Sequence, residues 1–114
     1  MRIINKSREK VIAENAVIAD TAFSRLKGLL GRDSIGDDEG MVITCCRSIH
    51  MFFMKFAIDV VFVDKSDKVV GLVERIKPFR MSPYFWRSSY VIELPCGTIE
   101  RTETKTGDLI EFQE

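Results

Sequence analysis

The sequence predicts a mainly β fold: a jelly-roll-like β-sandwich or a partly closed barrel, with one short α-helix near residues 21–30. Two observations predict it. Short runs of Val, Ile, Phe and Thr are separated by Gly, Asp, Ser and Pro through most of the chain, and only one stretch carries apolar residues at helical spacing. A sheet-rich core covered at one face or end by the helix follows from that balance.

The predicted helix begins after Asp20 and Thr21, either of which can accept hydrogen bonds from the free amides of a first turn. Apolar residues then recur at spacings of three or four, at Ala22, Phe23, Leu26, Leu29 and Leu30. Gly31 is a natural end for the helix.

The clearest strand-like runs lie at residues 41–44, 58–63, 69–73, 90–94 and 109–112. The polar residues 64–68 between two β-branched runs predict a hairpin connection. Shorter runs at 3–4, 11–12 and 17–18 bring the total to eight or nine strands. We expect residues 1–114 to form a single domain without a linker.

Charge and cysteine usage bear on partners and compartment. Seventeen Lys and Arg balance seventeen Asp and Glu, so the chain lacks the basic excess of a nucleic-acid-binding protein and nucleic acid is an unexpected partner. No apolar run is long enough for a signal peptide or a membrane span, so we expect no membrane. The three cysteines are an odd number and Cys45 adjoins Cys46, which favours reduced thiols and a cytoplasmic location.

Ten separated motifs stand along the chain, in this order: Arg25, Gly28-Leu29-Leu30, Arg32, Gly40-Met41, Ser48-Ile49-His50, Phe52-Phe53-Met54-Lys55, Ile58-Asp59-Val60-Val61-Phe62-Val63-Asp64, Val91-Ile92-Glu93-Leu94, Gly97 and Gly107-Asp108. Together they resemble the family catalogued as domain of unknown function 192. The resemblance covers nearly the whole chain. It implies a small β-sandwich of jelly-roll type, and it implies no established activity.

The only histidine and two of the three cysteines lie within six residues, from Cys45 to His50. Cys46 and His50 are therefore the candidates for metal ligands or for catalysis; zinc would need further ligands such as Cys45 and Cys96. A thiol activated by His50, with Asp59 or Glu93 orienting the imidazole, is the enzymatic alternative. No local signature of a nucleophile accompanies these residues, so no catalytic residue is assigned and the cofactor is unknown.

Asp59 interrupts an apolar strand, where a buried carboxylate needs an arginine or several hydrogen-bond donors. Arg25 and Arg32, on and after the helix, are the expected partners of Asp59, and Glu93 belongs to the same group of charged residues. A structural ion pair between helix and sheet is the favoured interpretation. The functional alternative is a cleft where an arginine holds a carboxylate or phosphate of a small molecule.

Two dense groups of Met and aromatic residues follow the cysteines, at 51–56 and 81–86. If one stays exposed beside His50, it would form a contact surface. We therefore expect a small non-catalytic binding module, monomeric or weakly dimeric, that takes a small molecule or a protein. The expected ligand-binding residues are Arg25, Arg32, His50, Met54, Asp59 and Glu93. The alternative is a metal- or thiol-dependent enzyme that uses Cys46 and His50.

Overall fold

Eight strands and one short helix occupy the residues that the computed structural model describes, which are 1–21 and 29–114. In chain order they are β1 (Arg2–Asn5), β2 (Lys10–Ala13), β3 (Asn15–Ala19), β4 (Glu39–Thr44), β5 (Ile58–Val63), β6 (Val69–Ile76), β7 (Tyr90–Leu94), α1 (Thr98–Thr102) and β8 (Ile110–Gln113). The mainly β prediction is confirmed, and the five clearest strand runs all fall on observed strands.

The strands form two sheets. The smaller has the order β2-β1-β8, and the larger has the order β3-β4-β7-β5-β6. Neighbouring strands are antiparallel except β3 and β4, which pair in parallel. No closed barrel forms among the described strands, so the two-sheet alternative is the one observed. The jelly-roll strand order stays a prediction.

One apolar core lies between the two sheets. Side chains alternate along β7, so Ile92 and Leu94 face the small sheet while Val91 and Glu93 point to the opposite side. Ile3 from β1 and Ile110 from β8 complete the contact from the other layer.

The outer face of the large sheet carries a second apolar cluster, which includes Phe62 and Val91. Among the described residues, loop side chains cover this face rather than a regular element; they include Leu29, Ile49, Met51 and Met54. Strand β5 is consequently buried on both sides along its whole length. The inner side chains of the loops after β4 and β6 are thus part of the apolar core, whereas the outer side of these loops faces solvent.

Only part of the helix prediction can be compared with the structure. Seven of the residues that were expected to be helical, 22–28, lie outside the described residues, and Arg25 is among them. The observed helix α1 was not predicted, because five residues are too few to show helical periodicity. Among residues 1–21 and 29–114, no helix has both the length and the apolar character to cross a bilayer.

Asp59 ties three elements together. Its side chain is 0% exposed. Its Oδ1 accepts a hydrogen bond from Arg75 N at 2.9 Å, while Oδ2 accepts from Gly97 N at 3.1 Å and Ile99 N at 3.0 Å. Three backbone donors satisfy the buried carboxylate, so β5 is joined to β6 and to the start of α1.

We expect Asp59→Ala to reduce the free energy of unfolding by about 3 kcal/mol or more, because three enclosed amides would lose their acceptor. Urea denaturation at neutral pH measures it. The control is Asp64→Ala in the β5–β6 hairpin, where Asp64 Oδ1 accepts from Ser66 N and Lys68 N in an exposed turn. Equal losses for the two variants would contradict the role given to Asp59.

Candidate binding surface

The two long loops that cover the large sheet bind each other through their backbones. They are residues 45–56, after β4, and residues 77–89, after β6. The bonds run from Met51 N to Arg80 O, Phe79 N to Met51 O, Ser82 N to Ile49 O and Phe85 N to Arg47 O, at 2.8 to 2.9 Å. We call the two joined segments, 47–51 and 79–85, the loop ribbon.

Phe85 anchors the loop ribbon to the sheet. Its ring centroid lies 4.4 Å from that of Phe62 on β5. On β6 the ring packs directly over Gly71, where any Cβ would overlap the ring atoms. A glycine at this point of the strand therefore allows the aromatic ring to approach the backbone closely.

One end of the loop ribbon carries two adjacent four-residue turns. Met54 N donates to Met51 O at 3.3 Å and Arg80 N donates to Lys77 O at 3.2 Å. The third residues, Phe53 and Phe79, both have φ of 68°, in the left-handed region that favours glycine. Their side chains are 77% and 68% exposed. We call residues 51–54 and 77–80 the paired turns.

The same two loops contain no Asp or Glu, although the whole chain has seventeen. Their five Lys and Arg residues are Arg47, Lys55, Lys77, Arg80 and Arg87. Lys55 pairs with Asp33 at 3.3 Å. The other four form no ion pair with any residue that the structure describes. A neutral chain thus carries a local positive region.

Exposed aromatic and Met side chains stand among these positive charges. His50 is exposed and stacks on Phe52 with ring centroids 5.1 Å apart. The Arg87 guanidinium lies 4.8 Å from the Trp86 ring centroid, within the range of a cation–π contact. We define the basic aromatic surface as Arg47, His50, Phe52, Phe53, Lys77, Phe79, Arg80, Met81, Tyr84, Trp86 and Arg87, all of them exposed.

An open cleft of about 510 Å³ adjoins the other end of the loop ribbon. Its lining residues are Cys45, Cys46, Arg47, Ser48, Tyr84, Ser88 and Ser89. Arg47 and Tyr84 belong to both the cleft and the basic aromatic surface. No carboxylate lines this cleft, so its charge has the same sign as that of the surface.

The structure does not gather the predicted ligand-binding residues into one place. Met54 is buried beneath its turn, and Asp59 is fully occupied by backbone amides. Glu93 is only 7% exposed. Of the predicted residues that the structure describes, His50 is therefore the one on the basic aromatic surface.

Arg32 has a different partner from the one expected. Its Nη2 donates to both carboxylate oxygens of Glu39 at 3.1 Å, and Gly36 N donates to Glu39 Oε1 at 2.8 Å. These bonds hold the pKa of Glu39 below its usual value, with the Gly36 amide as the larger cause. The predicted pairing of Arg32 with Asp59 is wrong, because backbone amides already satisfy Asp59. Arg25 lies outside the described residues.

The geometry around Cys46 differs from that of an activated thiol. Its Sγ donates to Ser48 O at 3.1 Å. Burial raises the pKa of the Cys46 thiol, and the charge of nearby Glu93 adds to the rise. Cys96 follows β7, whereas Cys46 is bonded to Ser89 before it, so a strand length of roughly 20 Å separates them. In the described part of the chain, no three His, Cys, Asp or Glu residues form a possible metal site.

Glu93 is a buried carboxyl on the outer face of the large sheet. Its strand neighbours are Met41 on β4 and Val60 on β5. Burial raises the pKa of Glu93 to about 7. The carboxyl is neutral at moderately acidic pH and becomes charged inside the fold only near neutrality.

The family model described as "Uncharacterized ACR", DUF192, matches residues 3–112. The chain belongs to the DUF192 family. A UPF0127 protein of Thermococcus sibiricus is 36% identical over 115 residues, which cover 97% of this chain and 74% of that protein. A UPF0127 protein of Pyrococcus horikoshii is 33% identical over 113 residues, covering 96% and 97% of the two chains.

Two solved structures share the fold of this DUF192 chain. A protein of unknown function from Novosphingobium aromaticivorans superposes with a TM-score of 0.80 at 22% identity, over 97% of this chain and 82% of that one. A putative transcription regulator from Sinorhizobium meliloti gives 0.75 at 24% identity, over 96% and 89%. Similarity at this level of identity carries the fold alone.

One sequence feature of the basic aromatic surface was not used to predict it. The absence of acidic residues from 45–56 and 77–89 can be read directly from the DUF192 chain, but two loops separated by twenty residues gain a common charge only when they pair. The left-handed conformation of Phe53 and Phe79 has no sequence signal, since glycine is the usual residue there.

We expect Cys46 to react with iodoacetamide at pH 8 more slowly than Cys45, because its sulfur is less exposed and a thiol with a raised pKa contains less thiolate. Two matched variants measure the rates separately: Cys45→Ser/Cys96→Ser leaves Cys46, and Cys46→Ser/Cys96→Ser leaves Cys45. Both should react at similar rates in urea. Faster reaction of Cys46 in the folded protein would restore the thiol-enzyme alternative.

We expect the stability of the DUF192 chain to fall by roughly 3 kcal/mol between pH 4.5 and pH 7 through Glu93 alone. Below its ordinary pKa of 4.5, Glu93 is neutral in both states and costs nothing. As pH rises, the unfolded chain loses this proton first, so the folded state loses relative stability until its own pKa is passed.

Urea denaturation of the native chain and of Glu93→Gln across that pH range isolates this contribution. The stability difference between them should change with pH, while Glu74→Gln on the exposed side of β6 should run parallel to the native chain. Parallel curves for Glu93→Gln would contradict a raised pKa at this position.

Proposed function

We propose that this chain is a small non-catalytic binding module, which contacts a ligand or partner through the basic aromatic surface around His50. Met54 is buried beneath this surface, where it packs in the outer apolar cluster, and Asp59 joins β5 to β6 and α1 on the other face of the sheet. The cleft beside Cys45 and Tyr84 extends the contact area.

The observation that carries the proposal is the combination of exposed apolar side chains with positive charges that form no ion pair within the described part of the chain. Phe53, Phe79 and Trp86 are 77%, 68% and 67% exposed. Aromatic residues and arginine are the residue types that dominate binding energies at contact surfaces. Apolar groups that gather on an exposed surface mark an interaction site more often than single scattered ones do.

The non-catalytic part of the proposal rests on Cys46 and His50. Cys46 donates to a backbone carbonyl and burial disfavours its thiolate, while His50 stacks on Phe52. Neither contact prepares a nucleophile for attack. A cytoplasmic location is supported by the three cysteines, which are all free.

One structural relative is described as a putative transcription regulator. That description belongs to the other protein, and the fold similarity does not transfer its role. An oligonucleotide is nevertheless a necessary probe, because exposed aromatic rings among arginines also suit single-stranded nucleic acid.

The proposal is tested by following backbone amide NMR signals while three probes are added separately: anionic phospholipid vesicles, a single-stranded oligonucleotide and an acidic peptide. At least one probe should perturb residues 47–54 and 77–87 and leave β1, β2 and β8 unchanged. Perturbation confined to the small sheet, or none with any probe, would contradict the proposed surface.

We expect His50→Ala to leave the melting temperature nearly unchanged and to weaken the binding of the active probe by a factor of about five, since an exposed contact residue is lost. Lys65→Ala in the exposed β5–β6 hairpin is the control and should bind normally. If His50→Ala unfolds the protein, the histidine is structural and its part in the proposal is wrong.

A further inference from the structure

We propose that the partner of the basic aromatic surface is an anionic lipid bilayer, against which the paired turns insert their phenylalanines. This inference rests on the proposed function, and it specifies the partner. The bound state is peripheral. It needs no membrane span, but it departs from the expectation of no membrane partner that was drawn from the sequence.

The shape of the paired turns suits a bilayer interface. Phe53 and Phe79 stand at the third position of two adjacent turns, with most of each side chain in solvent. Side chains exposed to this extent project from the described part of the chain. A small apolar ligand is usually held in a concave site, whereas a bilayer interface accepts projecting aromatic side chains.

The charge of the two loops suits an anionic surface. Lys77 and Arg80 begin and end one of the paired turns, and Arg47 and Arg87 lie further along the same loops. No Asp or Glu occurs in either loop to oppose them. Each Lys or Arg near an anionic leaflet contributes attraction that salt screens within a Debye length.

The backbone at both phenylalanines is strained. Phe53 and Phe79 hold φ at 68°, where a bulky side chain is disfavoured and glycine is not. Neither side chain is buried in compensation, since both are largely exposed. Phenylalanine at these two positions thus gains little packing within the folded chain, and an external apolar phase is the environment that would favour it.

The exposed Trp and Tyr residues of the surface also fit a membrane–water interface. Trp86 and Tyr84 are exposed beside Arg87, and Trp and Tyr favour the headgroup level because their rings are apolar at one end and polar at the other. Nucleic acid would use the same charges, but it would use the aromatic rings as stacking platforms rather than as inserted tips.

The experiment is co-sedimentation of the full chain with phosphatidylcholine vesicles that contain either no phosphatidylglycerol or about 30 mol% of it. Trp86, the only tryptophan in the chain, reports insertion through a blue shift of its fluorescence. We expect binding and the blue shift only with the anionic vesicles. Binding should fall as salt is raised from about 0.05 to about 0.5 M.

Phe53→Gly/Phe79→Gly is the decisive variant. It removes both inserted rings and relieves both left-handed positions, so the variant should be as stable as the native chain or more so. We expect its affinity for anionic vesicles to fall at least about tenfold. The matched control is Glu9→Gly, which replaces a residue of similar φ, 55°, outside the surface; it should bind as the native chain does.

Lys77→Gln/Arg80→Gln tests the charge, with Lys6→Gln/Lys65→Gln as the control at exposed positions outside the surface. The first pair should weaken binding and flatten its salt dependence, and the second should change neither. Unaltered vesicle binding by the Phe or the Lys77/Arg80 variant would overturn the inference.

Failure of the lipid inference differs from failure of the proposed function. If vesicles do not bind but the oligonucleotide or the acidic peptide perturbs residues 47–54 and 77–87, the lipid inference is wrong and the binding surface stands. If none of the three probes perturbs those residues, both are wrong. Binding to neutral and anionic vesicles alike also overturns the anionic specificity.

Discussion

The contact of the Phe85 ring with the bare backbone of Gly71 is the constraint on which the candidate surface depends. The outer face of the large sheet must be covered because its side chains are apolar. The Phe85 ring covers the part of this face that β5 and β6 form. The loop ribbon then has one side fixed in the core and the other in solvent. A substitution of Gly71 that displaces the Phe85 ring would release the loop ribbon from the sheet without altering any exposed residue.

Burial and exposure are divided sharply along the loops. In one turn, Met51 and Met54 are buried while Phe52 and Phe53 are exposed. Because buried methionines hold both ends of this turn, its two phenylalanine side chains are directed away from the core. Two backbone hydrogen bonds at Met51, one donated and one accepted, fix the second turn beside the first. The backbone that carries these projecting phenylalanines is therefore positioned by buried neighbours and by hydrogen bonds.

The sequence predicted those features that depend on local pattern. Runs such as residues 58–63 and 90–94 coincide with β5 and β7, and Asp64 organises the predicted hairpin through its own hydrogen bonds. Asp59 was correctly singled out as a carboxylate that needs partners. Those partners could not be predicted, because backbone amides of Arg75, Gly97 and Ile99 have no side-chain signature and meet only after β5, β6 and α1 are placed.

A binding region around His50 stays a prediction, and the residues that share a surface with His50 differ from those that were expected. The region around His50 was expected to bind, and its aromatic residues were noted, but the chain-wide neutrality hid a local positive charge. Glu93 and Arg32 were grouped with His50 by residue type alone, whereas the alternation of β7 buries Glu93 and a short loop gives Arg32 its own partner in Glu39. Long-range pairing of two loops decided which residues share a surface.

Amide hydrogen exchange at Met51 and Phe79 in the free protein tests most directly whether this surface exists before any partner arrives. Both amides donate in the bonds that join the paired turns. We expect their exchange to be slowed to within about tenfold of the β7 amides, because opening them requires release of the ribbon from the core. Exchange at the rate of an unprotected loop would contradict a preformed surface and remove the structural basis of the proposed function.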